Sequence, residues 1–294
     1  MYYISSIKNG LYGITDTKDG VEEFYNAKFI YDNFSKQKIF GVFSKGIEIW
    51  NPEKFLLKLK LAGLYSEFDF KVINNKIKVD NYHGSDSYVV IPDFVTILGN
   101  SCLSWNDGLK SVVISDSVEE LGDSCFQYCS NLNKVEFGSS VYSIGNYCFA
   151  GCYSLSSIKI PDTVINLGYR CFYNDSILKD VTLSKSLIEL QNGCFSGCCS
   201  LESIFIPESI NSLYFGCFNN CSLLSSIHLP NNLMVIDRQC FYNCVNLNSI
   251  VLPMSLKEID ESCFKKCTSL HRIVCTDNIK RKLPSYKEII ELYN

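Results

Sequence analysis

The chain reads as a repeat solenoid, with a parallel β-sheet on one face and short helices or turns on the other, preceded by a small α+β domain. Two observations predict this. Shifting the sequence by 23 residues superposes Cys125-Phe126, Cys148-Phe149, Cys171-Phe172, Cys194-Phe195, Cys217-Phe218, Cys240-Phe241 and Cys263-Phe264, with Cys102-Leu103 as a weaker first copy. No insertion or deletion interrupts these eight copies. A fixed period of this length marks stacked units, none of which buries its apolar face alone. The second observation is that residues 1 to about 67 do not share the period. The resulting division is an α+β domain over 1–67, an amino-terminal cap hairpin over 68–90, eight repeats over 91–274 and a carboxy-terminal cap helix over 275–294.

Within the leading segment, Tyr2–Lys8 and Leu11–Thr15 flank Asn9-Gly10, a pair that readily takes the positive φ angles of a hairpin turn. Asp19-Gly20 supplies another turn, and Val21–Lys36 is read as helix, although its aromatic residues fit both periods. Lys38–Phe43 and Gly46–Trp50 read as strands. Asn51-Pro52-Glu53 starts a helix, because Asn51 can cap the free amides and Pro52 suits the first helical position. That helix turns Phe55, Leu56, Leu59 and Leu61 inward and stops at Gly63. Phe68–Ile73 and Lys76–Val79 then form a hairpin around Asn74-Asn75 that is suited to cover the open end of a stack.

One repeat explains the rest. In Leu155–Pro161 the alternation predicts a strand with Ile158 and Ile160 inward and Ser157 and Lys159 outward. Proline follows at Pro92, Pro161, Pro207, Pro230 and Pro253, removing a donor where pairing should end. Val164 and Leu167 are apolar, Gly168 closes a turn, and Cys171-Phe172 begins a short helix with the two thiols of Cys-Phe-x-x-Cys on one face. The Phe rings should therefore stack as an internal ladder. After Val274 the period breaks, and Pro284–Tyr293 reads as a helix carrying Ile289, Ile290 and Tyr293 on one side.

The pattern Ile160-Pro161, Val141, Ile144-Gly145, Cys148-Phe149, Cys152, Leu155 and Ile158 resembles the BspA-type leucine-rich repeats, over Ile91 to Val274. The resemblance implies a curved or superhelical solenoid used for protein recognition, often at cell surfaces in bacteria and protists. This chain departs from the family in two ways. Cys stands where the family more often has Ala before the Phe, and the Asn ladder of longer leucine-rich repeats is absent.

Composition narrows the function. A net charge of -4 and a pI near 5.5 argue against a phosphate-binding surface, so nucleic acid is not expected as a partner. No run of 18 apolar residues suggests a membrane span. The start, Met1 to Gly10, lacks the pattern of a secretion signal, which points to the cytoplasm, while family resemblance allows surface display.

Of the sixteen cysteines, eight hold the first repeat position and six the second, Cys129, Cys152, Cys198, Cys221, Cys244 and Cys267, while Cys199 and Cys275 stand outside the pattern. At the second position Asn106 and Asp175 replace Cys in two copies, as for a small side chain chosen for packing. The reduced reading is favoured, but adjacent rungs roughly 5 Å apart also lie within disulfide Cα distances. Cys267, His271 and Cys275 come nearest to a metal cluster and lack a fourth ligand. Neither a phosphate loop nor a nucleophile motif is present, so no catalytic residue, cofactor or metal is assigned.

The expected function is non-enzymatic protein binding through the sheet face. Its candidate residues are the outward strand positions Glu136, Lys159, Thr182, Phe205, His228, Val251 and Val274, with Val113 ahead of them. Phe205, His228, Val251 and Val274 would make a partly apolar strip, for which an ordinary mixed surface is the alternative. A second reading places specific docking or activity in the leading module, with the array as a rigid spacer; a third is a metal- or redox-linked cysteine protein.

Overall fold

The computed structural model describes residues 65–293 continuously, the helix Pro52–Leu61 and Gly63 before them, and the backbone of four earlier strands. The chain separates into two units, Met1–Lys78 and Val79–Asn294.

In the first unit, Tyr2–Lys8 pairs antiparallel with Leu11–Asp16 and parallel with Ile39–Val42. Glu22–Tyr25 adds antiparallel to Leu11–Asp16, from Thr15↔Glu22 to Tyr12↔Tyr25. This corrects the helix expected from Val21: the aromatic and acidic residues there fit either period, and pairing with a neighbouring strand decides the outcome. The remainder of that expected helix, the expected strand Gly46–Trp50 and the cap Asn51 lie outside the described residues. Pro52–Leu61 is helical with Leu59 buried and Phe55 and Leu56 half-buried. It ends at Gly63, whose φ of 67° returns its N–H to the Lys60 carbonyl at 3.1 Å. Asn74 and Asn75, at φ 50° and 62°, turn the hairpin that connects Phe68–Ile73 to Lys76–Tyr82.

The second unit is a parallel solenoid. Nine strands at one repeat position, from Tyr88–Val90 to Arg272–Cys275, line the first sheet face in four hydrogen-bonded groups. Within its ladders equivalent residues pair in register, as in Ser111↔Lys134 and Ser203↔Ser226. Two-residue strands, from Ile97–Leu98 to Glu258–Ile259, form a second parallel ladder on another side. The first strands end where expected, and the carbonyls of Pro92, Pro161, Pro207, Pro230 and Pro253 each accept a turn-closing N–H three residues on.

Between the second and first strands the Cys-Phe segment is an arch rather than the short helix expected at Cys171. Its backbone alternates in handedness, with positive φ at Ser124 and Tyr128, Tyr147 and Gly151, Arg170 and Asn174, and so on up the stack. Such alternation defeats i→i−4 bonding and turns alternate N–H groups toward the next turn. Thus Ser124, Phe126 and Tyr128 donate to Asn146, Cys148 and Ala150 at 2.7–2.8 Å. The arches form a third inter-turn ladder. The last copy has no further arch to donate to, and there Glu261–Phe264 closes into a 3-10 helix capped by Asp260.

Inward positions make the core. The seven repeat Phe rings stack with centroids 5.3–5.7 Å apart and planes within 8°. All are essentially without solvent exposure, as the expected ladder requires. Leu103 occupies the ring position in the first copy, and Tyr286 meets the Phe264 end edge-on at 5.9 Å.

The carboxy-terminal cap differs from the single expected helix. Asp277–Lys282 is helical, N-capped by Thr276 with Asp277 in the first turn and Lys280, Arg281 and Lys282 in the last, an arrangement that suits the helix dipole. Pro284–Ile289 is a 3-10 helix, and Ile290–Leu292 is a strand parallel to Arg272–Cys275. The open sheet edge draws this segment into pairing, which local periodicity does not report.

Candidate functional site

On the first sheet the strand alternation places the expected residues outward. Lys159 and Thr182 are exposed neighbours in one ladder. Glu136 is exposed and ion-paired with Lys134 at 2.6 Å. Phe205 and His228 pair directly in register, their rings parallel within 4° at 5.1 Å. Phe205 is 60% and Val251 52% exposed, so two large apolar groups stand in solvent on a hydrogen-bonded scaffold. Val274 is in register with Val251 but only half-buried rather than open, because Glu291 of the closing strand pairs beside it. Arg272, on the adjacent outward row, is tied to Glu291 at 2.8 Å. The fixed repeat brings Phe205 and His228 together, while Glu136 and Lys134 form a separate charged region.

The thiols of the two repeat positions face inward. Cys129, Cys152, Cys198, Cys221, Cys244 and Cys267 each donate to the carbonyl of the residue 26 positions earlier, at 2.9–3.3 Å. Cys102 and Cys125 touch at 3.4 Å. Burial pushes the Cys129 thiol up to about 12 and raises Cys152, Cys171, Cys198 and Cys217 as well. Raised thiols hold little thiolate, the nucleophilic and metal-binding form. The Cys267, His271 and Cys275 group is not assembled: Cys267 bonds the Phe241 carbonyl, and exposed His271 places Nδ1 3.0 Å from the Ser269 carbonyl. Among the described residues no three His, Cys, Asp or Glu side chains are placed to share a metal ion.

Two features escaped the periodic reading. Asp175 replaces a second-column thiol and is completely buried. Its Oδ1 accepts the Cys152 N–H at 2.8 Å, whereas Oδ2 has no partner. Side-chain oxygens also form a short inter-turn ladder of their own: Asn100, Asp123 and Asn146 accept the amides of Asp123, Asn146 and Tyr169 at 2.7–3.0 Å. Its signal is an Asn or Asp directly after the turn glycine.

A second surface, absent from the expected site, lies along the second ladder. Tyr142, Ile165 and Ile188 form an exposed column, with Ile165 50% and Ile188 58% exposed. Beside it runs a groove of about 340 Å³ floored by Gly145 and Gly168. A Cβ on Gly168 would lie 2.4 Å from the Asn146 backbone nitrogen, so this close approach admits only glycine. The visible signal was the glycine column Gly99, Gly122, Gly145, Gly168 and its end at Gln191.

The family model for the BspA-type leucine-rich repeat region, six copies long, matches residues 79–199 and 188–285. Among solved structures, a leucine-rich repeat protein of T. pallidum is similar at 25% identity, covering 62% of this chain and 88% of that one, with a TM-score of 0.60. A leucine-rich repeat protein from Bacteroides ovatus is similar in fold at 21% identity, covering 78% of this chain and 76% of that one, with a TM-score of 0.54. Among curated proteins none matches the sequence. Leucine-rich repeat proteins generally mediate protein–protein interaction, and such solenoids are typically non-enzymatic. No helix among the described residues is long and apolar enough to cross a membrane. The matched span, the inward Cys and Phe columns and the parallel strands agree: the chain belongs to the BspA-type leucine-rich repeat family.

Proposed function

We propose that the protein is a non-enzymatic recognition module whose first sheet binds a protein partner, with contact centred on Phe205, His228 and Val251. The observation that supports this most is the flat Phe205–His228 pair, held at 5.1 Å on adjacent strands with Phe205 60% exposed. Aromatic groups that are ordered before binding lose little conformational freedom on association, which makes them effective anchors. Lys159 and Thr182 are a polar margin to this strip. The reading is tested by affinity isolation of partners with the wild-type chain and with the double variant Phe205→Glu/Val251→Glu. Both substituted side chains are exposed, so the fold should survive. Loss of the captured partner is expected. A partner held equally well by the double variant excludes this strip, and its loss on deletion of residues 1–70 would assign docking to the leading segment instead.

A further inference from the structure

The groove along the second ladder coincides with an irregularity in the backbone. At each neighbouring step two bonds join the turns: Ile165 N–H to Tyr142 carbonyl and Gly168 N–H to Ile144 carbonyl, then Asn211 N–H to Ile188 carbonyl and Tyr214 N–H to Leu190 carbonyl, all at 2.9–3.0 Å. At the step between them the equivalent pairs, Ile188 with Ile165 and Gln191 with Leu167, make no such bond. The ladder accordingly divides into two sheets between Asn166–Leu167 and Glu189–Leu190, its one interruption among the described residues. Asn166, Leu167 and Glu189 line the groove, while Leu190 is buried beneath it. Unused backbone donors and acceptors therefore sit beside the exposed Ile165 and Ile188 side chains, at a floor kept free of side chains by glycine.

The lining also has a sign. It contains Asp123 and Glu189, and no lysine, arginine or histidine. Asp123 is exposed, and Glu189 is fixed by Tyr214 Oη at 3.0 Å. A ligand matched to this setting offers aliphatic side chains and positive charge. From the turn of Asp123 to that of Gln191 the ring spacing gives a length of roughly 16 Å, which an extended peptide of about five residues at ~3.3 Å each would fill. We infer that this groove binds an extended peptide segment with alternating aliphatic and basic side chains, as a site separate from the first-sheet strip. The carboxylates select the charge, and Ile165 and Ile188 cover the aliphatic groups.

The test uses the full chain and a fluorescein-labelled peptide, acetyl-Val-Lys-Val-Lys-Val-amide, followed by fluorescence anisotropy. Saturable binding that weakens with added salt is expected, with little binding of the same peptide carrying glutamate for lysine. Ile188→Lys places a cation at the groove and should lower affinity about tenfold or more, the scale of a like-charge contact. Ile165→Lys does the same from the neighbouring turn, and circular dichroism identifies any variant that has unfolded. Phe205→Glu/Val251→Glu should leave peptide affinity unchanged, which separates this site from the first-sheet reading. Absence of saturable binding, equal binding of the glutamate peptide, or full affinity in both folded lysine variants overturns the inference.

Discussion

Replacing Asp175 by Cys should stabilise the protein, and the gain should grow with pH. In six copies the corresponding side chain is a thiol that donates to a carbonyl of the preceding turn. Asp175 instead leaves Oδ2 unpartnered at zero exposure, an omission that costs about 1–3 kcal/mol. Desolvation raises its carboxyl well above the usual carboxylate range, and the hydrogen bond from the Cys152 amide opposes this only in part. The groups facing it are the thiols of Cys152, Cys171, Cys194 and Cys198, all raised by burial and so neutral through the relevant range. A carboxyl whose folded pKa exceeds its unfolded value of about 3.9 binds its proton more tightly in the folded state. Its contribution is thus complete below that value and is lost as pH rises toward the folded pKa, at up to about 1.4 kcal/mol per pH unit. Urea unfolding of wild type, Asp175→Cys and Asp175→Asn between pH 5 and pH 8 reads this directly. Wild type should lose stability with pH relative to both variants, and the Cys variant should exceed wild type by about 1–3 kcal/mol near neutrality. Parallel pH profiles for all three, or a wild type that gains on the variants as pH rises, would refute the reasoning.

Two further outcomes follow from the inward columns. Phe195, buried and stacked at 5.3 Å on Phe172 and 5.6 Å on Phe218, should cost about 3–5 kcal/mol when changed to Ala. Phe195→Leu should cost less, since Leu103 fills that position in the first copy, and an unchanged thermal midpoint in the Ala variant would mean the ring is not buried. With a thiol reagent under native conditions, the exposed Cys199 should react quickly and the other fifteen only after unfolding; several fast thiols would show that the columns open readily.

The sequence revealed whatever the period governs. Phe172 and its counterparts stack because the copies are of equal length, and Phe205 faces His228 for the same reason. The arch was not legible, because its left-handed positions hold Ser124, Tyr147, Arg170 and Gln239 as well as Gly193 and Gly216. Side-chain type gives no warning at these first positions, although the second left-handed position holds Gly151, Asn174, Gly197, Asn220 and Asn243; the bonds to the next turn impose the conformation. Val274 stands in register with Val251, but its cover comes from Ile290–Leu292, a segment outside the period. Glu22–Tyr25 is a strand where the sequence suggests helix, because four residues are too few for one period to prevail over the other. The groove depends on two hydrogen bonds that are missing at one step, and only the change from Gly168 to Gln191 hinted at it.

That step also shows how a solenoid can interrupt one ladder without losing register. Across it the second ladder lapses, and Asp175 weakens the second-column packing in the same turn. The arch bonds nevertheless continue, from Arg170, Phe172 and Asn174 to Asn192, Cys194 and Ser196 at 2.8–2.9 Å. Phe172 and Phe195 remain stacked at 5.3 Å with planes 8° apart. The ring column and the arches therefore keep the two halves aligned where the second ladder does not. Because stability in such a stack is a sum of nearest-neighbour terms, one weakened term is compensated within its own step and does not propagate. The Cys-Phe motif thus holds the register through its arch and rings, which leaves the second ladder free to open between Ile165 and Ile188.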